Sequence, residues 1–460
     1  MASSFGGINT ALTALYAQRR GLDVTGQNIA NANTEGYTRQ RVDMQAQVGS
    51  MSPAMYARTD GLGTGVSVSA VQRLKDEYLE NRGRAEHGTN AYLASQSATY
   101  TTIEDAFAEP SDTALAAQMR DMWGSWNDVA NNPQLAAPRS ALIQQSATVA
   151  SQFNSAHDAL SRQWEQNRTQ TEVHVDEINV AARSIAQLND SIIQANGAGV
   201  PVNELEDRRD LLAMRLAELT GATAAKRENG GMDVFINGAT VVTGTTTREV
   251  EFTGAARLED QTADPVALRW KDNGGKIEAG GTIGAVVDTM SKIIPGLSDQ
   301  LDSVAKNLID RVNAEHVKGV SADGSTNLNF FAGTTAGSIK VLIRDPDQVA
   351  VSATAGTRDN SVADAIADIG ELAGGPDREY QNMIGQLGVI SQATTRRSEI
   401  QGVVAEQVDA ARESQSGVNL DEEMTNLLTY QRGYEAASRV LTTIDSMLDQ
   451  LINRTGLVGR

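Results

Sequence analysis

An apolar repeat of helical period runs unbroken from about residue 138 to about residue 196. It is carried by Val149, Phe153, Ala156, Leu160, Trp164, Thr171, Val175, Ile178, Ala182, Ile185, Leu188 and Ile192. No other feature of the chain limits its fold as much. A helix of about 55 residues measures roughly 80 Å at 1.5 Å per residue. Helices of globular domains rarely exceed about 25 residues, so the pattern predicts a rod, a coiled coil or a repeat array. Pro138 suits the first turn of that helix, and the run 197–201 ends it. Further helical periods cover 72–107, 111–130, 202–219, 282–317 with a kink or break at Pro295, and 361–414.

Two stretches depart from this pattern. Residues 38–48 partly alternate, 51–59 are mixed, and after Gly61-Leu62-Gly63-Thr64-Gly65 the residues Val66 and Val68 alternate with serines, which predicts an extended or β-hairpin excursion near 38–70. Residues 221–281 are rich in glycine and threonine. There, 232–236 and 239–242 flank Asn237-Gly238, the signature of a hairpin with a type I′ turn. Segments 248–252, 266–270 and 276–278 add strands, and 338–343 predicts another beyond the Asp323-Gly324-Ser325 turn. The fold class expected is mainly α with an inserted β domain.

Both ends read as amphipathic helices. At the N-terminus Phe5, Ile8, Leu12, Leu15, Leu22 and Ile29 are spaced 3, 4, 3, 7 and 7 apart, a stripe too thin for a full core face. At the C-terminus Asn419 and Glu422 form a capping-box-like start, with Asp421 and Glu423 favoured by the helix dipole. One seam then carries Leu420, Met424, Leu427, Tyr434, Leu441, Leu448 and Ile452; Val440, Ile444, Met447 and Leu451 widen it. Neither end buries its stripe alone, so pairing the two is the economical solution. The expected division is a coiled-coil-like stem from 1–45 and 415–460, a long-helix rod from 46–220 and 282–414, and a β-rich outer domain at the far end from 221–281.

Composition removes several function classes. With no cysteine among 460 residues, disulfides, zinc–thiolate centres and thiol nucleophiles are excluded. A net charge of −19, from 58 acidic and 39 basic residues, argues against nucleic acid. No apolar run approaches the roughly 20 residues that span a bilayer, so membrane insertion is not expected. The first 17 residues lack a basic start, and Arg19-Arg20 follow the apolar positions, unlike a cleavable signal peptide. His87, His157, His174 and His316 are scattered without metal-ligand spacing. Gly274-Gly275-Lys276 lacks the rest of a phosphate loop, and Asp345-Pro346-Asp347 offers too few oxygens for calcium. No catalytic, metal or cofactor site is expected.

One local motif is sharp: Asn28-Ile29-Ala30-Asn31-Ala32-Asn33-Thr34-Glu35-Gly36-Tyr37. A helix end needs one Gly or Asn in left-handed geometry. Three asparagines exceed that need, which points to side chains engaged beyond their own helix. This run, behind Ser4-Phe5-Gly6-Gly7-Ile8-Asn9, resembles the N-terminal signature of the flagellar axial proteins of rod, hook and hook-associated type. The segment Gly417-Val418-Asn419-Leu420-Asp421-Glu422-Glu423-Met424, continuing through Tyr430-Gln431 to Leu448, resembles their terminal helix. Asn313-Ala314-Glu315-His316, Gly319 and Phe330-Phe331 resemble the hook-associated members in particular.

The resemblance implies a structural subunit of the extracellular flagellum, at the junction between hook and filament, exported by the flagellar type III apparatus. Its implied partners are further copies of itself in a ring or helical layer, the hook protein, the next junction protein, the filament, and an export chaperone on the C-terminal helix. The assembly interface is then expected at Phe5, Ile8, Leu12, Leu15, Leu22, Asn28, Asn31, Asn33, Thr34, Gly36 and Tyr37. From the other end it takes Leu420, Met424, Leu427, Tyr434, Leu441, Ile444, Leu448 and Leu451. Alternatives are a hook or filament subunit, an acidic cytoplasmic coiled-coil scaffold, or an extracellular hydrolase housed in the β insert.

Overall fold

The computed structural model describes residues 4–48, 63–354 and 359–454; positions 51–59 and Gly61-Leu62 of the predicted hairpin excursion lie outside them. Helix α1 (Ser4–Ala30) leads into an antiparallel hairpin of β1 (Gln40–Gln47) and β2 (Gly65–Arg73), with Gln40 opposite Arg73. Helix α2 (Glu77–Phe107) starts five residues later than its period suggests. The strand runs on to Arg73, and the Asp76 carboxylate caps the helix by accepting from the Tyr78 and Leu79 amides. Helices α3 (Leu115–Asn131), α4 (Ala136–Gly197) and α5 (Asn203–Thr220) follow.

At 62 residues, α4 is about 90 Å long. Its stripe is buried as the period predicts, except that Ala156 and Leu188 are only half-buried. Beside Leu188, Asn189 is fully buried instead. Its amide donates to the carbonyls of Met232 and Gly244, each at 2.7 Å, and accepts from the Met232 amide at 3.0 Å. A polar residue occupies the core face there because it docks the β segment.

That segment forms a four-stranded antiparallel sheet of β3 (Thr223–Lys226), β4 (Met232–Ile236), β5 (Ala239–Thr243) and β6 (Thr246–Thr247). A three-stranded sheet follows, of β7 (Val250–Thr253), β8 (Ala267–Trp270) and β9 (Lys276–Ile277). Asn237 and Gly238 adopt φ of +47° and +80°, the left-handed pair a type I′ turn requires. Its position corrects the expectation of a domain at the far end. Val234, Ile236, Val242, Leu268 and Trp270 share one core with Ile178, Ala182 and Ile185 of α4. The Arg209 guanidinium, fully buried on α5, donates to the Gly230 carbonyl at 2.7 Å. Short strands cannot close a core by themselves, so the long helix supplies the second layer.

Helix α6 (Gly281–Asp288) passes through a π-helical turn at Thr289–Ile293 into α7 (Ile294–His316). Pro295 therefore widens the helix rather than ending it. In the π pattern the Met290 carbonyl faces Pro295, which has no N–H; the Trp164 indole donates to it instead, at 2.9 Å. Beyond α7, the predicted strand at 338–343 shrinks to β12 (Lys340–Val341), paired with β11 (Phe331–Ala332), while β10 (Val320–Ser321) pairs with β13 (Ala350–Ser352). Helices α8 (Ser361–Ala367), α9 (Pro376–Ser416) and α10 (Leu420–Asp449) complete the chain.

The main core lies in the half of the body away from the stem. It is built around Trp126, Phe153, Trp164, Phe330 and Phe331, all essentially inaccessible. His316 sits edge-on to Phe330, with ring centroids 5.4 Å apart. Its Nδ1–H donates to the Leu328 carbonyl at 2.6 Å and its Nε2 accepts from the Ala350 amide at 3.0 Å, which requires the neutral ring. Burial pushes the imidazole below its ordinary value of 6.5. The folded state thus binds this proton more weakly than the unfolded chain. The contribution is whole above about pH 6.5 and is lost as pH falls below it. Urea midpoints measured from pH 7.5 down to 5 should decline, and His316→Gln should flatten the decline; an unaltered slope would assign it to other groups.

Candidate assembly interface

The stem is the antiparallel pair of α1 and α10, brought together by small residues. A methyl group on Gly21 would lie 2.7 Å from the Tyr430 ring, one on Gly433 2.8 Å from Gln18, and one on Gly7 3.0 Å from Ile444. These glycines allow the two backbones to approach closely. The buried face of α1 is Ala11, Ala17, Gly21, Val24, Thr25 and Asn28, while Ile8, Leu12, Leu15 and Leu22 are half-buried. Phe5 falls in the first turn of α1.

Asn28 is the hub. Its Nδ2 donates to the Gln40 carbonyl at 2.9 Å and to Glu423 Oε2 at 3.0 Å; its Oδ1 accepts from the Gln40 amide at 3.0 Å and from the Tyr37 hydroxyl at 2.8 Å. Only a primary amide supplies two donors and two acceptors in that span. Burial first, then the charges of Asp207, Glu204 and Glu423, pushes the Tyr37 phenol up to about 12. It therefore stays a donor. Glu423, 2% exposed, also receives Arg39 at 2.7 Å, and the Arg39 amide donates to the Ser416 carbonyl at 2.9 Å. Asn419 caps α10 by accepting from the Asp421 and Glu422 amides, but Glu422 does not close the expected box; its carboxylate pairs with Arg39 at 2.7 Å.

The other motif residues act locally within the chain. Asn31 donates to the Gln27 carbonyl and accepts from Thr34, closing its own helix end, and Gly36 takes φ of +76° in the following turn. Asn33 is exposed. The excess of asparagine thus has a reason beyond its own helix at Asn28, and the plainer helix-end reading holds for Asn31 and Thr34.

The C-terminal seam also needs correcting. Leu427, Leu441, Ile444 and Leu448 turn toward α1, but Leu420, Met424, Tyr434 and Leu451 are exposed, as are Leu428, Val440 and Met447. At 100° per residue Met424 and Leu428 flank the inward face on one side and Val440 and Met447 on the other. The inward positions include Glu423, Asn426, Tyr430 and Gly433, which a hydrophobic count passes over. Those exposed apolar side chains are between 41% and 57% accessible, and Tyr16 on α1 is exposed likewise.

A buried ionic joint, missed from the sequence, fixes this stem to the body. Arg73, at the end of β2, contacts Glu206 at 2.5 Å, Asp207 at 2.7 Å and Asp210 at 2.9 Å; Lys75 pairs with Asp210. Burial opposes the charge on Arg73, but the three carboxylates more than offset it and hold its pKa above the ordinary value. Burial likewise raises Asp210, yet Lys75 and Arg73 bring it down to about 2. Arg412 of α9 bridges to Glu80 of α2 at 3.0 Å, and the Thr38 amide donates to Asp207 at 3.2 Å. The only sequence signal was the charge run 204–210, ordinary for a solvated helix face.

Among the described residues, no group of three or more His, Asp or Glu has metal-binding geometry, and no helix is long and apolar enough to cross a membrane. The chemistry on offer is that of interfaces.

Comparison with known families separates the possibilities. The family model described as "Flagella basal body rod protein" matches residues 8–38, and "Flagellar basal body rod FlgEFG protein C-terminal" matches residues 411–454. These two matches fall on the stem and set the class, an axial subunit of the bacterial flagellum. The model "Flagellar hook-associated protein FlgK helical domain" matches residues 100–331, half of the chain. The chain belongs to that family, flagellar hook-associated protein FlgK, which forms the hook–filament junction, and its role is structural. Flagellar hook-associated protein 1 of Bacillus subtilis (strain 168) is 28% identical, with 100% of each chain covered. The Escherichia coli (strain K12) protein of the same name is 26% identical over 97% of this chain and 99% of its own. The solved structure of the flagellar hook junction protein FlgK from Burkholderia pseudomallei covers 73% of this chain and 100% of its own, with a TM-score of 0.63. At 14% identity it shows a shared fold.

Asn28→Ala removes both donors and both acceptors of the hub and should destabilise the stem by about 2–4 kcal/mol, whereas Asn33→Ala should stay within about 0.5 kcal/mol. Hydrogen exchange at the Gln40 amide reads the difference. Equal exchange rates in the two variants would remove Asn28 from its central place.

Proposed function

We propose that copies of this chain build a ring or helical layer of the hook–filament junction by covering one another's stem helices. The observation that supports it is the set of apolar side chains exposed along both flanks of α10, from Leu420 to Met447, which lie open to solvent in the described chain. A two-helix stem buries little area, and helix formation there is costly without added contacts. Neighbouring copies supply the missing surface, so ordering and assembly are coupled. In this reading the stem (1–45 and 415–460) lines the inner tube. The long helices (46–220 and 282–414) form its wall, and the β segment (221–281) faces outward from the stem-proximal side. The hook protein lies on one side of the layer, and the next junction protein and the filament on the other.

The same set is the surface an export chaperone shields before secretion through the flagellar export apparatus to the cell exterior. The protein acts through binding rather than catalysis. Met424→Asp combined with Met447→Asp places one charge on each exposed flank of α10 without touching the inward face. Cells carrying it should show hooks without filaments and unpolymerised flagellin in the medium, while the purified chain keeps its helical circular dichroism. Normal filaments would sink the proposal. For the chaperone, removing residues 415–460 should abolish its capture; undiminished capture would place its site elsewhere.

A further inference from the structure

A second uncovered surface lies on the body, and it has a counterpart across the molecule. Helix α9 turns Val389, Ile390, Ile400 and Val403 to solvent; Val389 is 69% exposed and Ile400 66%. Arg396 and Arg397 stand between these two apolar pairs, exposed and unpaired among the described residues. At 100° per residue these six positions fall within an arc of about 140°, one continuous face. Helix α4 presents Val173 and Val180, 61% and 55% exposed, with Glu172 and Asp176 beside and between them. Glu172 also meets Arg168 at 3.4 Å and the neighbouring Arg183 meets Glu249 at 3.1 Å, so Asp176 is the unpaired acid of this face among the described residues, against two unpaired arginines on α9.

Contacts through the body place the two faces on opposite sides at one level. At His87, α2 touches α9 through Asp409 at 2.8 Å and α5 through Glu218 at 3.8 Å. Helix α5 in turn holds α4 through Arg215 and Glu177 at 2.7 Å. The order across the body is therefore α9, α2, α5, α4. Gln401 reaches the Glu86 carbonyl, and a methyl on Gly88 would meet the Ala217 carbonyl, so the 396–403 and 172–180 stretches share a height along α2.

We infer that the α9 face of one copy docks on the α4 face of the next, so that Arg396 and Arg397 meet Glu172 and Asp176 while the valines and isoleucines exclude water. Two different patches on opposite sides make a head-to-tail contact, the kind that closes into a ring or continues as a helix. Complementary charge fixes partner and register. The inference rests on the self-assembling reading above and adds a contact independent of the stem.

The absence of cysteine makes the test clean. Full-length Val180→Cys and Ile400→Cys chains, assembled together and oxidised with diamide, should give a disulfide-linked dimer; neither should give it alone. Adding Arg396→Glu and Arg397→Glu to the Ile400→Cys chain should lower the yield several-fold, and Glu172→Lys with Asp176→Lys in its partner should restore it. Sedimentation of the wild-type chain and of the Met424→Asp, Met447→Asp chain reports the stem contact in parallel. If the wild type assembles, the stem variant does not, and the body cross-link is absent, this inference falls and the stem reading stands. If the stem variant assembles like the wild type and the body cross-link is absent, both fall. A dimer from either single body variant alone would mean a two-fold contact and would overturn the head-to-tail arrangement.

Discussion

One buried amide decides how the two ends of the chain meet. Asn28 and Glu423 are 395 residues apart, yet their contact at 3.0 Å joins the end of the first helix to the start of the last. The seam between those helices is lined by Gly7, Gly21, Gly433 and alanines, which let backbones approach but do little to stop sliding. A buried polar contact is costly when mispaired, so it sets register where small apolar residues do not. Shifting α10 by one turn would leave Glu423 buried without Asn28 or Arg39. The same amide holds Gln40 by both its N–H and its carbonyl, so the hairpin, the stem and the entry to α10 are fixed together.

Stability is distributed unevenly as a result. The far half of the body encloses whole aromatic side chains such as Trp126 and Phe153, and even a histidine is held there without charge. The stem buries small and polar residues, Ala11, Ala17, Gly21, Val24, Thr25, Asn28 and Glu423, and leaves methionines and leucines in water. Between them the joint is ionic. Arg73, Lys75, Glu206, Asp207 and Asp210 are strong only while all are present, because each would be an uncompensated buried charge alone. A segment with little apolar burial opens more readily than a packed core, so the stem is the low-stability end of the molecule.

Much of this was legible in the sequence because period and turn chemistry are local. The repeat from Val149 to Ile192 gave α4, Asn237-Gly238 gave the hairpin, and the Asn28–Tyr37 run marked a helix end with unusual demands. What escaped was non-local. Leu188 fits the α4 stripe by spacing, yet Asn189 is buried because it docks the β segment across the sequence. That segment was expected at the far end because it lies midway along a chain whose two ends pair; its half-formed core draws it back onto α4. Glu423 looked like a dipole-favouring residue at a helix start, and only its partner Asn28 reveals it as a core residue. Charges that bury each other leave no hydrophobic signature.

The α10 stripe shows why a single chain is an incomplete description of such a helix. Counting apolar positions merged the inward face with its exposed flanks: Leu427, Leu441, Ile444 and Leu448 look inward, while Met424 and Leu428 lie exposed on one side of them and Val440 and Met447 on the other. A helix that is apolar on two sides belongs between two layers. Within the chain α1 supplies one layer. An exposed stripe of that length on a soluble chain marks an interaction surface, because isolated proteins seldom leave one uncovered. The inward face therefore carries the fold and the exposed flanks carry the assembly, and the polar hub at Asn28 keeps the two from exchanging places.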